Sequence, residues 1–104
     1  MRKYKVEWSV GADRNLEEIE KFFVYDNPAL AAQTVLAILD TAEIMLNLFP
    51  LSGRPGRIKG TRELVLNNLP YIVIYSVESA VNIIRVFHTS QNFQAIRKDI
   101  EFNG

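Results

Sequence analysis

The stretch Gly53-Arg54-Pro55-Gly56-Arg57-Ile58-Lys59-Gly60-Thr61-Arg62-Glu63 separates a half of the chain with helical patterning from a half with strand patterning. Its glycines and its proline stop what precedes them and hold the backbone in turns. Its four cations, Arg54, Arg57, Lys59 and Arg62, are too closely spaced to be buried, because each would need its own partner in the interior. The stretch therefore reads as a positively charged connection leading into a sheet, and its cations are the candidate target-binding residues.

Working back towards the N-terminus, Ala31, Val35, Ile38, Ala42, Met45 and Phe49 recur at spacings of four and three, with no Gly or Pro before Pro50. This predicts a helix opening at Asn27-Pro28, where Asn27 caps and Pro28 fits the first helical position. Ahead of it, Ala12, Leu16, Ile19 and Phe23 line a second helix, with Ser9 as its cap and an acidic first half suited to the helix dipole. The short connection implies an antiparallel helical hairpin. Tyr4, Val6 and Trp8 alternate with Lys3, Lys5 and Glu7, the period of a strand buried on one face.

Towards the C-terminus come three apolar runs: Glu63 to Asn67, Tyr71 to Val77, and Val81 to His88. The turn Glu78-Ser79-Ala80 joins the last two into a hairpin. Tyr71, Val73, Tyr75 and Val77 share one side of their strand. Strict alternation puts Val81, Ile83, Arg85 and Phe87 on one side of the next, with Asn82, Ile84, Val86 and His88 on the other. The order β-α-α-β-β-β predicts a two-layer α+β domain, its helical hairpin packed on one face of a mainly antiparallel sheet. The opposite face is expected to be open, and residues 93–104 to form a C-terminal tail.

Composition narrows the function. At 104 residues the chain fits one domain, 1–104, of the usual ~100–150 residues. No uninterrupted apolar run approaches the ~18 residues of a membrane helix, and the first residues lack the apolar core of a signal peptide. A cytoplasmic protein with no membrane partner is expected. With no cysteine and one histidine, neither a disulfide framework nor a zinc site is expected, and no motif calls for a cofactor. Net charge is zero, yet residues 1–50 hold five Lys/Arg against eight Asp/Glu and residues 51–104 hold seven against four. The second half is thus the one suited to an anionic partner.

Two residues of the last strand invite chemistry. Arg85, in so apolar a run, must reach solvent, pair with an acid such as Glu63, or serve a ligand. His88, at the strand end, is a candidate general acid or base. Arginines, a lysine and a histidine without metal or acidic nucleophile suit attack of an RNA 2′-OH on its own phosphodiester. That would make the protein a metal-independent endoribonuclease with Arg62, Arg85 and His88 as catalytic residues.

The fragments Asn27-Pro28, Phe49-Pro50, Gly53-Arg54-Pro55-Gly56-Arg57, Gly60-Thr61-Arg62-Glu63-Leu64, Pro70-Tyr71-Ile72-Val73-Ile74-Tyr75 and Ile84-Arg85-Val86-Phe87-His88 stand in a distinctive order. As far as about Phe93 the chain resembles bacterial toxins of the RelE/ParE superfamily, the stable halves of type II toxin–antitoxin (plasmid stabilisation) modules. The resemblance implies the same fold, a cognate antitoxin, and a hetero-oligomer with it. It also implies one of two targets: the ribosome and its mRNA for RelE-like ribonucleases, or DNA gyrase for ParE-like members. Arg62 and Arg85 match positions that are basic in both branches. Lys59 stands near a lysine of the nuclease branch. After His88, where the family usually carries a basic residue and then Trp or Tyr, this chain has Gln91, which removes a cation, and Phe93, which has no hydroxyl to act as an acid, and this points to the ParE-like branch. A member that keeps the antitoxin surface but has lost toxicity is the third reading.

Overall fold

The computed structural model describes residues 3–103; Met1, Arg2 and Gly104, the ends of the expected domain, lie outside the described residues. Elements run β1 (Val6–Trp8), α1 (Val10–Val24), α2 (Pro28–Leu48), β2 (Arg54–Pro55), β3 (Arg62–Val65), β4 (Tyr71–Val77), β5 (Val81–His88) and α3 (Phe93–Asn103). They build a five-stranded sheet in the order β1-β5-β4-β3-β2. All neighbours are antiparallel except β1, which runs parallel to β5. A parallel pair needs a crossover, and the α1–α2 hairpin with the following strands supplies it.

The caps sit where the sequence puts them. Ser9 Oγ accepts the Ala12 N–H at 3.0 Å and Asn27 Oδ1 accepts the Leu30 N–H at 3.0 Å. The helical stripe then packs as its period dictates. Ala12, Leu16, Ile38, Ala42 and Leu46 meet Val73, Tyr75, Val81 and Ile83 in the main core. Phe49 is not part of that stripe: it is the C-cap of α2 and 53% exposed.

The membrane expectation is sharpened here, and that of an open far face is corrected. By length and composition α2 is apolar enough to cross a membrane, although no unbroken apolar run within it is that long. Polar residues such as Gln33 and Thr34 interrupt the run without lowering its average much. In this fold α2 packs its buried stripe on the sheet. The far face of the sheet is not open, either. The segment from residue 93 forms α3, which lays Phe93, Ile96 and Ile100 on Ile72, Ile74 and Phe87.

Alternation along β5 also breaks. Tyr75 pairs with Ile83 and Ile74 with Arg85, so Ile84 is an extra residue in a β-bulge. Beyond it the faces swap. Val81, Ile83 and Val86 join the main core, whereas Ile84 and Phe87 join the cluster under α3. The bulge sits where α1 replaces β1 as the neighbour of β5: Ser9 Oγ donates to the Ile84 carbonyl at 2.7 Å, and the Val86 N–H donates to Asn15 Oδ1 at 2.9 Å.

A basic loop anchored on a buried carboxylate

β3 begins with Arg62 and Glu63, and its alternation sends them to opposite faces. Arg62 pairs across the sheet with Tyr75, a main-core residue, and Glu63 pairs with Ile74, which lies under α3. Glu63 is 1% exposed and collects the preceding loop. Its Oε1 accepts from Arg54 Nη2 and Arg57 Nη2, each at 3.0 Å. Its Oε2 accepts from the Arg57 backbone N–H at 2.9 Å and from Arg57 Nε at 3.2 Å. Burial acts to raise this carboxyl's pKa, but the hydrogen bonds from Arg57 and Arg54 outweigh it and hold the pKa at about 2.

The rest of the loop closes on itself. The Gly56 N–H donates to the Thr61 carbonyl at 2.8 Å, and Thr61 Oγ1 donates to the Ile58 carbonyl at 2.6 Å. The turn passes through Gly60 at φ 81°, a left-handed conformation that a side chain would strain. Lys59 stands exposed beside it. The guanidinium of Arg57 lies 3.7 Å from the centre of the Phe93 ring, a cation–π contact, and Arg97 Nη2 donates to the Arg57 carbonyl at 2.8 Å.

The three residues expected to share a phosphate are not brought together. Arg62 faces the hairpin side, where Nη1 donates to the Gly53 carbonyl at 2.6 Å. Arg85 lies under α3, 5% exposed, with Nε donating to Asp99 at 3.0 Å and Nη1 to the Ile84 carbonyl at 2.8 Å. Its acid is Asp99 and not Glu63, which the loop arginines occupy. His88 ends β5 beside a groove of about 590 Å³, walled by Ile19, Phe22, Phe23, Leu69 and Tyr71. The Ser90 N–H donates to His88 Nδ1 at 3.0 Å, so a neutral ring carries its proton on Nε2. The catalytic grouping of Arg62, Arg85 and His88 therefore does not assemble, because the bulge and β3 alternation separate its members.

What the structure does gather is Arg54 and Arg57 on Glu63, with Lys59 at the neighbouring turn. Arg54 and Arg57 keep side chains that are 55% and 45% exposed. Phe93 and Arg97 were missed in the sequence. The spacing of three and four at Phe93, Ile96 and Ile100, behind Asn92, was the available signal; Asn92 Oδ1 accepts the Gln94 N–H at 2.8 Å.

Comparisons with known proteins agree with this architecture. The family description "ParE toxin of type II toxin-antitoxin system, parDE" matches residues 6–93. Y4kP of Sinorhizobium fredii, which carries a toxin assignment, is 42% identical over 96 residues, covering 92% of this chain and 99% of that one. A chain of the chromosomal ParDE system from P. aeruginosa superposes with a TM-score of 0.76 at 23% identity, over 83% of this chain and 96% of the other. A chain of the RelBE2 toxin–antitoxin complex from Mycobacterium tuberculosis gives 0.64 at 26% identity, over 88% and 97%. With the family match running from β1 to the start of α3, this chain belongs to the ParE toxin family of type II toxin–antitoxin systems.

Proposed function

We propose that this toxin arrests growth in the cytoplasm by binding an essential protein target such as DNA gyrase through its basic loop, and that a cognate antitoxin neutralises it. The single observation that carries this reading is the anchoring of Arg54 and Arg57 on buried Glu63, which fixes two half-exposed guanidiniums on a rigid strand. A preordered cationic surface loses little side-chain entropy on binding. The ribonuclease alternative lacks the convergent groups that phosphodiester cleavage needs, because Arg85 is occupied by Asp99 and far-face packing.

The antitoxin is assigned to the helical hairpin. The groove beside Phe23 and His88 is walled in part by Phe22, 78% exposed, and Tyr25 and Leu30 of the same hairpin are 95% and 40% exposed. An amphipathic segment that folds on binding would cover such a surface.

Induced expression of Arg54→Gln/Lys59→Gln is the test, because Arg57 alone retains three hydrogen bonds to Glu63 and the loop stays folded. Wild type should stop growth with intact messages and induced DNA damage, and the double variant should restore growth. Codon-positioned breaks in cellular messages by primer extension would overturn the gyrase reading. Toxicity undiminished in the double variant would remove the loop from the working surface.

A further inference from the structure

Helix α3 extends past residue 93, where the family match ends, and its contacts with the loop are specific. Phe93 offers its ring face to the Arg57 guanidinium, and Arg97 reaches across to the Arg57 carbonyl. Arg97 also lies 5.4 Å from the same ring, so two cations flank one aromatic. Three guanidiniums, from Arg54, Arg57 and Arg97, are thereby tied into one array that contains a single buried acid, Glu63. Its charge is three positive less one negative, a net of +2, with Lys59 exposed at the turn next to it.

We propose that α3 and the basic loop form one composite docking ledge, and that its ligand is an acidic segment of a partner protein. The proposal rests on the reading of the loop as the recognition surface and adds Arg97 and the ligand class to it. Guanidiniums held in fixed positions pair with carboxylates through two parallel hydrogen bonds. Two observations favour a protein segment over nucleic acid. Single-stranded nucleic acid is held largely by bases stacking on free aromatic faces, and here Arg57 lies over the Phe93 ring. A long polyanion also needs cations along its whole track. The whole chain is neutral, so off this +2 ledge it meets a net charge of −2, and the first fifty residues hold eight acids against five bases.

The test measures fluorescence anisotropy of a labelled ten-residue oligoglutamate peptide and of a ten-nucleotide single-stranded DNA on the full chain at low salt. The peptide should bind the wild type more tightly than the oligonucleotide does. Arg97→Gln and Arg54→Gln/Lys59→Gln should each weaken peptide binding about fivefold, the scale of an exposed ion pair. Lys21→Gln on α1 should leave it unchanged. If the loop variant weakens binding and Arg97→Gln does not, the composite ledge fails while the loop reading survives. If neither variant matters, both fail, and tighter binding of the oligonucleotide overturns the ligand class. Should Arg97→Gln prove unfolded by thermal melting, the arginine Nε–H resonances of the wild type decide. Those of Arg57 and Arg97 should shift together on adding peptide, and movement of Arg57 alone refutes the ledge.

Discussion

The two faces of the sheet are held by different physics. On the hairpin face, Ile38, Ala42, Leu46, Val73, Val81 and Ile83 are all 0% exposed, a mainly aliphatic seam, joined by Tyr75, between a 21-residue helix and the central strands. On the α3 face only Ile72, Ile74 and Phe87 form the buried cluster, under an 11-residue helix, and beside them lie the two buried charges, Glu63 and Arg85. Apolar packing is non-directional and stabilises in proportion to area. Ion pairs with defined geometry add less net energy but fix positions. The lesson is a division of labour: the hairpin face supplies stability, and the α3 face spends some of it on holding cations in place.

Truncation in both layers separates the two contributions most clearly. Ile38→Ala should cost about 4 kcal/mol, near the upper end for a large-to-small change in a rigid core, and Ile72→Ala about 2 kcal/mol because α3 can settle onto the gap. Urea denaturation measures both. Equal costs would mean that the α3 face is as much a core as the other.

Next comes Glu63→Gln, with an expected loss of about 3 kcal/mol at neutral pH, because the Arg54 and Arg57 hydrogen bonds converge on a buried anion. Its pH signature follows from the depressed pKa. The folded value of about 2 lies below the ordinary 4.5, so this stabilisation is complete above pH 4.5 and is lost as pH falls towards 2. The loss approaches 1.4 kcal/mol per pH unit. Thermal melting between pH 5 and 2 should show that decline in wild type and a flatter one in Glu63→Gln. Parallel declines would mean that other carboxylates govern acid unfolding.

The same division explains what was legible beforehand. The hairpin face is encoded by period: Ala12 and Leu16, Ile38 and Ala42, Tyr71, Val73 and Tyr75, with Ser9 and Asn27 marking the helix starts. These are local rules, and the structure follows them. The α3 face depends on events that no local pattern carries. One inserted residue, Ile84, turned Arg85 away from the side that alternation assigned, and α1 stabilised the bulge from 71 residues away through the Asn15–Val86 hydrogen bond. Glu63 and Asp99 both stood available to Arg85, and only the three-dimensional loop decided that Glu63 was taken. In α3 the packed apolar stripe is only Phe93, Ile96 and Ile100, set among polar and charged residues, which is a thin signal for a helix. The basic loop itself was legible, because clustered cations among glycines have few places to go. That Arg62, Arg85 and His88 are kept apart was not recoverable without knowing the bulge.

A smaller effect probes the seam between α1 and the α3 face. A Cβ at Gly11 would collide with the guanidinium of Arg85, which Asp99 and the Ile84 carbonyl hold in place. Gly11→Ala gains about 1 kcal/mol of helix propensity and loses more to the displaced arginine, for a net cost of about 1.5 kcal/mol. In an Arg85→Ala background the same change should be neutral or stabilising. A double-mutant cycle reads that coupling, and additivity would show that Arg85 moves aside freely.

The smallest effect tests a polar link between the hairpin face and the loop. The Tyr75 hydroxyl, in the main core, accepts the Gly53 N–H at 2.9 Å, while Arg62 binds the Gly53 carbonyl at 2.6 Å. Gly53 is thus gripped at both its N–H and its carbonyl, one grip coming from a fully buried side chain. Tyr75→Phe leaves a buried N–H without its acceptor and should cost about 1 kcal/mol. The Arg62 grip remains, so toxicity should persist. Burial pushes the Tyr75 pKa above its ordinary 10, hydrogen bonding and Arg62 only partly opposing this, and burial likewise raises that of Tyr71. A raised folded pKa means that the stabilisation holds below pH 10 and is lost as pH rises past it. Tyr75→Phe should therefore shrink the alkaline decline without abolishing it, since Tyr71 remains, and should leave the acid decline set by Glu63 untouched. Melting curves at pH 3, 7 and 11 separate the two limbs. If Tyr75→Phe altered the acid limb as well, Gly53 would be transmitting the state of one face to the other, and the two faces would no longer act as independent layers.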